Sequence, residues 1–226
     1  MATPGAMDRF RHTVSDDEFR RIVAVLRLAV PYTGMILSTR ERPEFRDEVI
    51  ATGISQISAG SRTGVGGYRL DGRPPAASDA AVTCSSGEAV AGAEETTGAE
   101  RAAGAHQAAV AAPQFEVEDT RSPDEIIRSL ALSGYIPSYC TACYRKGRTG
   151  DRFMELAKTG RIKEVCSPNA VLTFKEYLLD YASPETREAG EKAITEHIAA
   201  IPNEAVRGET LERLARIERG ERDVYF

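Results

Sequence analysis

Between Ser15 and Val30 the residues Ile22, Val23, Val25, Leu26 and Ala29 return at helical spacing. Ser15, with Glu18 three residues on, forms a capping box, and Pro31 closes the pattern. The prediction is a helix with a broad apolar face. "GMILST" reads as a short buried strand, and "RPEFRDEVIATG" as a helix with Pro43 in its first turn and Gly53 as its stop. "ISQIS" is a second strand. Strand, helix and strand on short links make a βαβ element, which requires parallel pairing. Two parallel strands do not make a covered sheet, so this zone predicts a piece of a larger sheet or barrel.

From about Arg69 to Pro113 the periodicity vanishes into Ala, Gly, Ser and Glu without an aromatic residue. Such a stretch buries too little apolar area to offset its ordering entropy, and is expected to be a disordered insertion or linker. Cys84 and His106 lie inside it and read as exposed and incidental. Beyond it the pattern is helical. "RSPDEIIRSLALSG" has Ser122 as N-cap, Pro123 at the first position, Glu125 completing the box and Gly134 as terminator. "LTFKEYLLDYA" repeats the device with Thr173 and Glu176, and "SPETREAGEKAITEHIAAI" and "NEAVRGETLERLARIERG" are two further amphipathic helices. The expected boundaries are therefore 1–68, 69–113 and 114–226.

Charge and composition narrow the partners. A net charge of −5 over 226 residues argues against a nucleic-acid footprint. The opening "MATPGAMDRFRHT" has no apolar h-region and no eighteen-residue apolar run follows, so the expectation is a soluble cytoplasmic protein without a membrane partner. Four cysteines in such a chain read as metal or redox ligands before disulfides.

Three of them sit in "YCTACYRKGRTGDRFMELAKTGRIKEVC": Cys140 and Cys143 two residues apart, then Cys166 after twenty-two. A C-x-x-C pair lets two thiolates reach one metal or one cluster face. Arg145, Lys146 and Arg148 follow it, positive charge that lowers thiolate pKa and offsets the negative charge of a cluster. "SPN" after Cys166 reads as a turn that brings the chain back to the pair. A structural zinc needs a fourth ligand, and His12, His197 and Cys84 are the candidates, none at usual spacing. A thioredoxin-like redox pair would open a helix after a strand, whereas "GYIPSYCTAC" looks like a loop. Buried structural thiols seldom form so cationic a cluster. A cubane held by three cysteines leaves one iron open. Spacing alone leaves iron–sulfur and zinc level.

The loop "SAGSRTGVGGY" follows the second strand, where parallel folds build their sites. Gly60, Gly64, Gly66 and Gly67 permit close backbone approach, and Ser61, Arg62 and Thr63 supply donors. Arg62 suits a bidentate grip on a carboxylate. The bland alternative is a glycine-rich connection with a surface arginine. No dinucleotide or P-loop pattern is present.

"VPYTGMILSTRE", "ISQISAGSRTGVGGY", "GYIPSYCTACYRKGRTGDRFMELAKTG", "PNAVLTFKEYLLDYASPETR" and "RIERGERDVYF" together resemble the C-terminal half of the HydG family. These are the radical SAM tyrosine lyases that mature FeFe hydrogenase, related to the thiamine-pathway lyase ThiH, which lacks the cysteine-bearing tail. The resemblance implies an α/β fold: the C-terminal fragment of a radical SAM (βα)8 barrel in 1–68, an insertion in 69–113, and a mostly α-helical auxiliary-cluster domain in 114–226. It implies L-tyrosine as substrate, cleaved by a 5′-deoxyadenosyl radical to p-cresol and a fragment that becomes carbon monoxide and cyanide on iron. Hydrogenase maturation proteins are the implied partners. Cys140, Cys143 and Cys166 become ligands of an auxiliary 4Fe-4S cluster with an extra iron at its open site, and Ser61, Arg62 and Thr63 become tyrosine or S-adenosyl-L-methionine contacts.

The sequence departs from that family in three linked respects. The C-x3-C-x2-C motif for the second 4Fe-4S cluster, which works with S-adenosyl-L-methionine, does not occur; nor do the early strands or the upstream histidine, which His12 does not replace. The expectation is a chain that starts no radical chemistry alone: a truncated gene product, or one half of a split enzyme with an N-terminal half as partner. Its catalytic residues are unknown. The alternatives are a non-catalytic iron–sulfur scaffold or carrier, a ThiH-like thiamine-biosynthesis protein, and a zinc-binding interaction module.

Overall fold

Ser15 accepts the Glu18 amide while the Glu18 carboxylate reaches back to the Ser15 amide at 2.8 Å, and helix α1 (Asp16–Ala29) starts from that box. The computed structural model describes residues 13–63 and 116–226. Strand β1 (Ile36–Leu37), helix α2 (Pro43–Ile50) and strand β2 (Gln56–Ile57) follow. The strands pair in parallel, Ile36 opposite Gln56 and Leu37 opposite Ile57, as the βαβ spacing predicts. After residue 115 come α3 (Pro123–Leu132), α4 (Ala142–Arg145), α5 (Asp151–Lys158), α6 (Lys163–Asp180), α7 (Pro184–Ala199) and α8 (Glu204–Glu218). The fold is helix-rich with one small sheet among the described residues. The described residues up to Ser61 and Val117–Phe226 form one compact unit, and Arg62, Thr63 and Glu116 fall outside it. No helix of the described residues is long and apolar enough to cross a membrane.

Two cores form. Val23, Leu37, Phe45 and Val49 make the smaller one, with Phe19, Met35, Ile54 and Ile57 against it. The larger joins Ile127 and Ala131 of α3, four residues of α6 from Val171 to Leu178, Ala193 and Ile194 of α7, and Leu214 and Ile217 of α8. Gly190 of α7 lets that helix close on α6: a Cβ there would stand 2.6 Å from Leu178.

The broad apolar face predicted for α1 is corrected. Val23 is buried, but Ile22, Val25 and Leu26 stay 47%, 63% and 47% exposed. The smaller core is narrower than the stripe, and the neighbouring Arg27 crosses to the Gly53 carbonyl at 2.9 Å.

The second correction concerns Thr173 and the "SPN" turn. Both lie inside α6, an unbroken helix of 18 residues. The Thr173 hydroxyl bonds the Asn169 carbonyl at 2.9 Å, the back-bond available to a threonine within a helix, so it is no cap. Glu176 accepts instead from the Val224 amide at 3.2 Å. Pro168 is the sixth residue of α6 and is buried, and having no N–H it donates no bond to the turn before it. The turn before it is tightly wound, with the Glu164 and Val165 amides reaching carbonyls three residues back.

Polar joints lock the elements. Arg46, 1% exposed, bonds the wholly buried Asp119 and the Ser58 carbonyl. Arg121 closes on Asp119 at 2.8 Å and on Asp47 of α2 at 3.0 Å. The Asp119 and Glu118 amides donate to the Thr39 carbonyl. This network fastens the returning chain to the α/β segment, directly beside the end of β2. Asp124 of α3 accepts from the hydroxyls of Ser183 (2.6 Å) and Thr186 (2.8 Å) at the head of α7.

Candidate metal centre

Two arms carry the three cysteines. The first leaves α3 at Gly134, whose φ of +80° is the left-handed turn that glycine supplies. Tyr139 then stacks on Tyr177 of α6 with centroids 5.8 Å apart, and the Ser138 hydroxyl meets the Thr173 hydroxyl at 3.1 Å. The Cys140 amide donates to Ser138 Oγ at 3.2 Å, so the cysteine is held against α6. Cys143 lies in the short α4, and its carbonyl accepts the Arg148 amide at 2.8 Å. The second arm is the start of α6, where the Cys166 amide donates to the Ile162 carbonyl at 2.7 Å.

All three thiols are free; Cys140 and Cys166 are exposed and Cys143 is half-buried. The Cys166 thiol is held above its ordinary value, first by desolvation and then by Cys143 and Cys140, with Arg148 acting against them. The two arms therefore bring the cysteines into one electrostatic neighbourhood. Among the described residues no group of three or more His, Cys, Asp or Glu stands so that it could hold a metal ion, so the three cysteines are not gathered into a ligand set.

The cations are placed otherwise than the sequence suggests. Arg145 pairs with Asp223 at 2.9 Å and lies over Tyr225, and Lys146 lies over the same ring at 5.4 Å. Arg148 donates through one terminal nitrogen to the Phe226 carbonyl, while its Nε is buried with no acceptor among the described residues. Of the three, Arg148 is the one whose charge acts on the Cys166 thiol. His197 uses Nε2 on the Gly134 carbonyl at 2.9 Å, and His12 and Cys84 lie outside the described residues, so no fourth zinc ligand is in place among those described.

A cavity of about 470 Å³ opens beside Cys140, between residues 139–145, α6 and residues 222–225. Its aromatic wall is Tyr139, Tyr177 and Tyr181. Burial pushes the Tyr177 hydroxyl up to about 12, with Asp124 and Tyr139 adding to it. Burial also raises the Glu176 carboxyl, partly offset by the Val224 amide.

At the other candidate stretch, Gly60 has φ +61° and passes Pro123 so closely that a Cβ would meet its ring at 3.3 Å. Ser61 and Thr63 are half-buried and Arg62 is exposed, while Gly64, Gly66 and Gly67 lie outside the described residues. Sequence reasoning missed Arg46 and Asp119. The available signal was an arginine within the apolar stripe Phe45, Val49 and Ile50 of α2. It also missed Asn169, whose side chain accepts the Phe226 amide at 2.7 Å.

Residues 4–136 match the Biotin and Thiamin Synthesis associated domain family. The 2-iminoacetate synthase of Salmonella typhimurium is 40% identical over 58 residues, 26% of this chain and 15% of that protein. That of Escherichia coli is 48% identical over 46 residues, 20% of this chain and 12% of the relative. Among solved structures, the crystal structure of HydG, a maturase of the FeFe hydrogenase, aligns with a TM-score of 0.76 at 53% identity. That alignment covers 97% of this chain and 40% of HydG, so the chain spans less than half of the relative it follows. The resemblance read from the motifs thus extends along nearly the whole sequence.

Proposed function

The chain belongs to the Biotin and Thiamin Synthesis associated domain family, and on that premise we propose that it is the auxiliary-cluster part of a HydG-like radical SAM tyrosine lyase. One observation carries the reading: the chain follows the HydG crystal structure at 53% identity over 97% of its length, and the C-x2-C-x22-C cysteines Cys140, Cys143 and Cys166 lie within that alignment. The donor set fits an iron–sulfur cluster better than a lone tetrahedral ion. The C-x2-C-x22-C spacing supplies three soft sulfur donors, no fourth protein ligand stands with them among the described residues, and Arg148 Nε is a buried donor with no acceptor among those residues. When bound, a 4Fe-4S cluster on three cysteines supplies an iron with a vacant coordination position.

In this reading Cys140, Cys143 and Cys166 are the ligands, and Arg148 balances their negative charge. Residues 1–68 are the end of a (βα) barrel, an assignment supported by the parallel pair and by the α1 face left exposed; 69–113 is an insertion, and 114–226 is the cluster domain. Ser61, Arg62 and Thr63, at the mouth that β2 leads into, contact tyrosine or S-adenosyl-L-methionine, with Arg62 gripping a carboxylate. The C-x3-C-x2-C motif is not in these residues, so generating the radical falls to the remainder of the HydG-like protein, as does the supply of carbon monoxide and cyanide for hydrogenase maturation.

Anaerobic reconstitution with iron and sulfide tests the assignment. The expected outcome is a brown chain with one 4Fe-4S cluster, whose reduced-state magnetic resonance spectrum changes when a small exogenous ligand such as cyanide is added. A colourless protein holding one zinc per chain would overturn it.

A further inference from the structure

The residues that follow α8 do more than end the helix. Arg222 closes on Asp180 of α6 at 2.8 Å and bonds the Ile217 carbonyl. Asp223 then takes a φ of 58°, the left-handed conformation that aspartate tolerates better than most side chains. From there the chain alternates its attachments. Val224 is buried in the larger core, while Asp223 and Tyr225 meet Arg145 and Lys146 of the first cysteine arm. The Phe226 backbone bridges both arms. Its amide donates to Asn169, three residues after Cys166, and its carbonyl accepts from Arg148, five residues after Cys143. The Arg213 guanidinium lies over the Phe226 ring at 3.7 Å. Apart from Tyr139 on Tyr177, Ser138 on Thr173, His197 on Gly134 and Ile136 against the larger core, the first arm is thinly held: from Ser133 to Ile162, Ala142 is the one buried residue.

We propose that Arg222–Phe226 is a strap that sets the separation of the two cysteine-bearing arms, making Asp223, Tyr225 and Phe226 positioning residues for the group the three thiolates hold. The three cations after Cys143 are then divided. Arg145 and Lys146 serve the strap, and Arg148 is knotted to it by one nitrogen while its Nε stays available to the bound group. The inference rests on the reading of Cys140, Cys143 and Cys166 as one ligand set.

Trivalent arsenic reads that geometry without iron. Arsenous acid condenses with three thiols, exchanging three As–O bonds for three As–S bonds and releasing three waters, and its affinity rises as the thiols are preorganised. In a Cys84→Ser background, the Asp223→Asn/Tyr225→Leu chain is expected to bind arsenite about 10-fold more weakly, the loss usual when groups that orient metal ligands are removed. Tyr225→Phe, which keeps the ring under Lys146, should bind as the parent does. The melting temperature should fall only modestly, since Asp223 is exposed and Tyr225 is half-buried outside the larger core. Arg145→Gln probes the same contact from the arm, leaves the strap untouched, and decides the matter if the double variant does not fold. Reconstituted with iron and sulfide, the strap variants should show a broadened cluster spectrum. Equal arsenite affinity in parent, Arg145→Gln and the double variant would overturn the strap. A parent that takes no cluster yet loses arsenite affinity in the strap variants would overturn the iron–sulfur reading and leave the strap standing.

Discussion

Helices α3, α6, α7 and α8 share a core in which Leu172, Phe174, Leu178 and Ile217 expose 0% of their surface, whereas the thirty residues between α3 and α6 bury Ala142 and nothing else. The first region is held by apolar packing and by a few satisfied polar joints. The second is held by Tyr139 on Tyr177, by Ser138 on Thr173, and by the strap. Packing over-determines the helices and leaves the cysteine arm room to adapt. On the proposed reading, a group bound at the cysteines would have ordering to contribute in one region and none in the other, because metal binding stabilises what is not already fixed.

The sharpest way to break this contrast is to remove a thiol. Cys140→Ser, Cys143→Ser and Cys166→Ser should each lower bound iron after reconstitution to background. The same three variants should melt with the parent when metal-free, because two of the thiols are exposed and the third is half-buried. Iron analysis and a thermal melt check both halves. A metal-free chain that lost stability with any of the three would place that cysteine in the packed region.

The next largest effect belongs to the buried strut. Asp119→Asn leaves Arg46 charged, 1% exposed and without its anion, and should cost roughly 3–5 kcal/mol in a urea titration. Burial by itself would raise the Asp119 carboxyl, but hydrogen bonds from Arg121 and the charge of Arg46 outweigh it and hold it below the usual carboxylate range. A folded value below the unfolded one means a stabilisation present above the ordinary carboxylate range and lost as pH falls through the folded value. Stability should therefore drop as the solution is acidified in that window, and the asparagine variant should drop less. An equal acid slope in both would remove Asp119 as the titrating group.

A pair of glycines sharpens the packing side. Gly190→Ala drives a methyl to within 2.6 Å of Leu178, itself wholly buried, and should cost roughly 1–3 kcal/mol despite alanine's helix preference. Gly208 in α8 has nothing within 4 Å of an added Cβ, so Gly208→Ala should stabilise by about 0.5–1 kcal/mol. Opposite signs from one substitution in adjacent helices, read from denaturant midpoints, would isolate the contact from the propensity.

What could be read in the sequence follows from how far each signal reaches. The boxes at Ser15 and Ser122 depend on residues three apart, and both formed as read. Thr173 with Glu176 shows the same spacing, but Thr173 turned to Asn169 because the helix already ran past it. The βαβ pairing was legible from alternating elements; the exposure of Ile22, Val25 and Leu26 was not, since it depends on what surrounds the stripe rather than on the stripe. The cysteines announced themselves by type and spacing. The duties of Arg145, Lys146 and Arg148 did not, because their partners Asp223, Tyr225 and Phe226 lie some eighty positions away in the chain.

The smallest effect tests where the packed region meets the strap. Glu209 pairs with Arg213 at 2.5 Å, one helical turn apart on α8 and partly exposed, so Glu209→Gln should cost only about 0.3–0.5 kcal/mol, and less in high salt. Arg213 also covers the Phe226 ring, a cation–π contact worth about 0.5–2 kcal/mol and little affected by salt. Arg213→Ala should therefore exceed Glu209→Gln by a margin that persists when salt is added. If the two variants converged in high salt, Arg213 would act through its ion pair alone. Phe226 would then be held by Asn169 and Arg148, which shifts the anchoring of the strap from the helical core to the cysteine arms themselves.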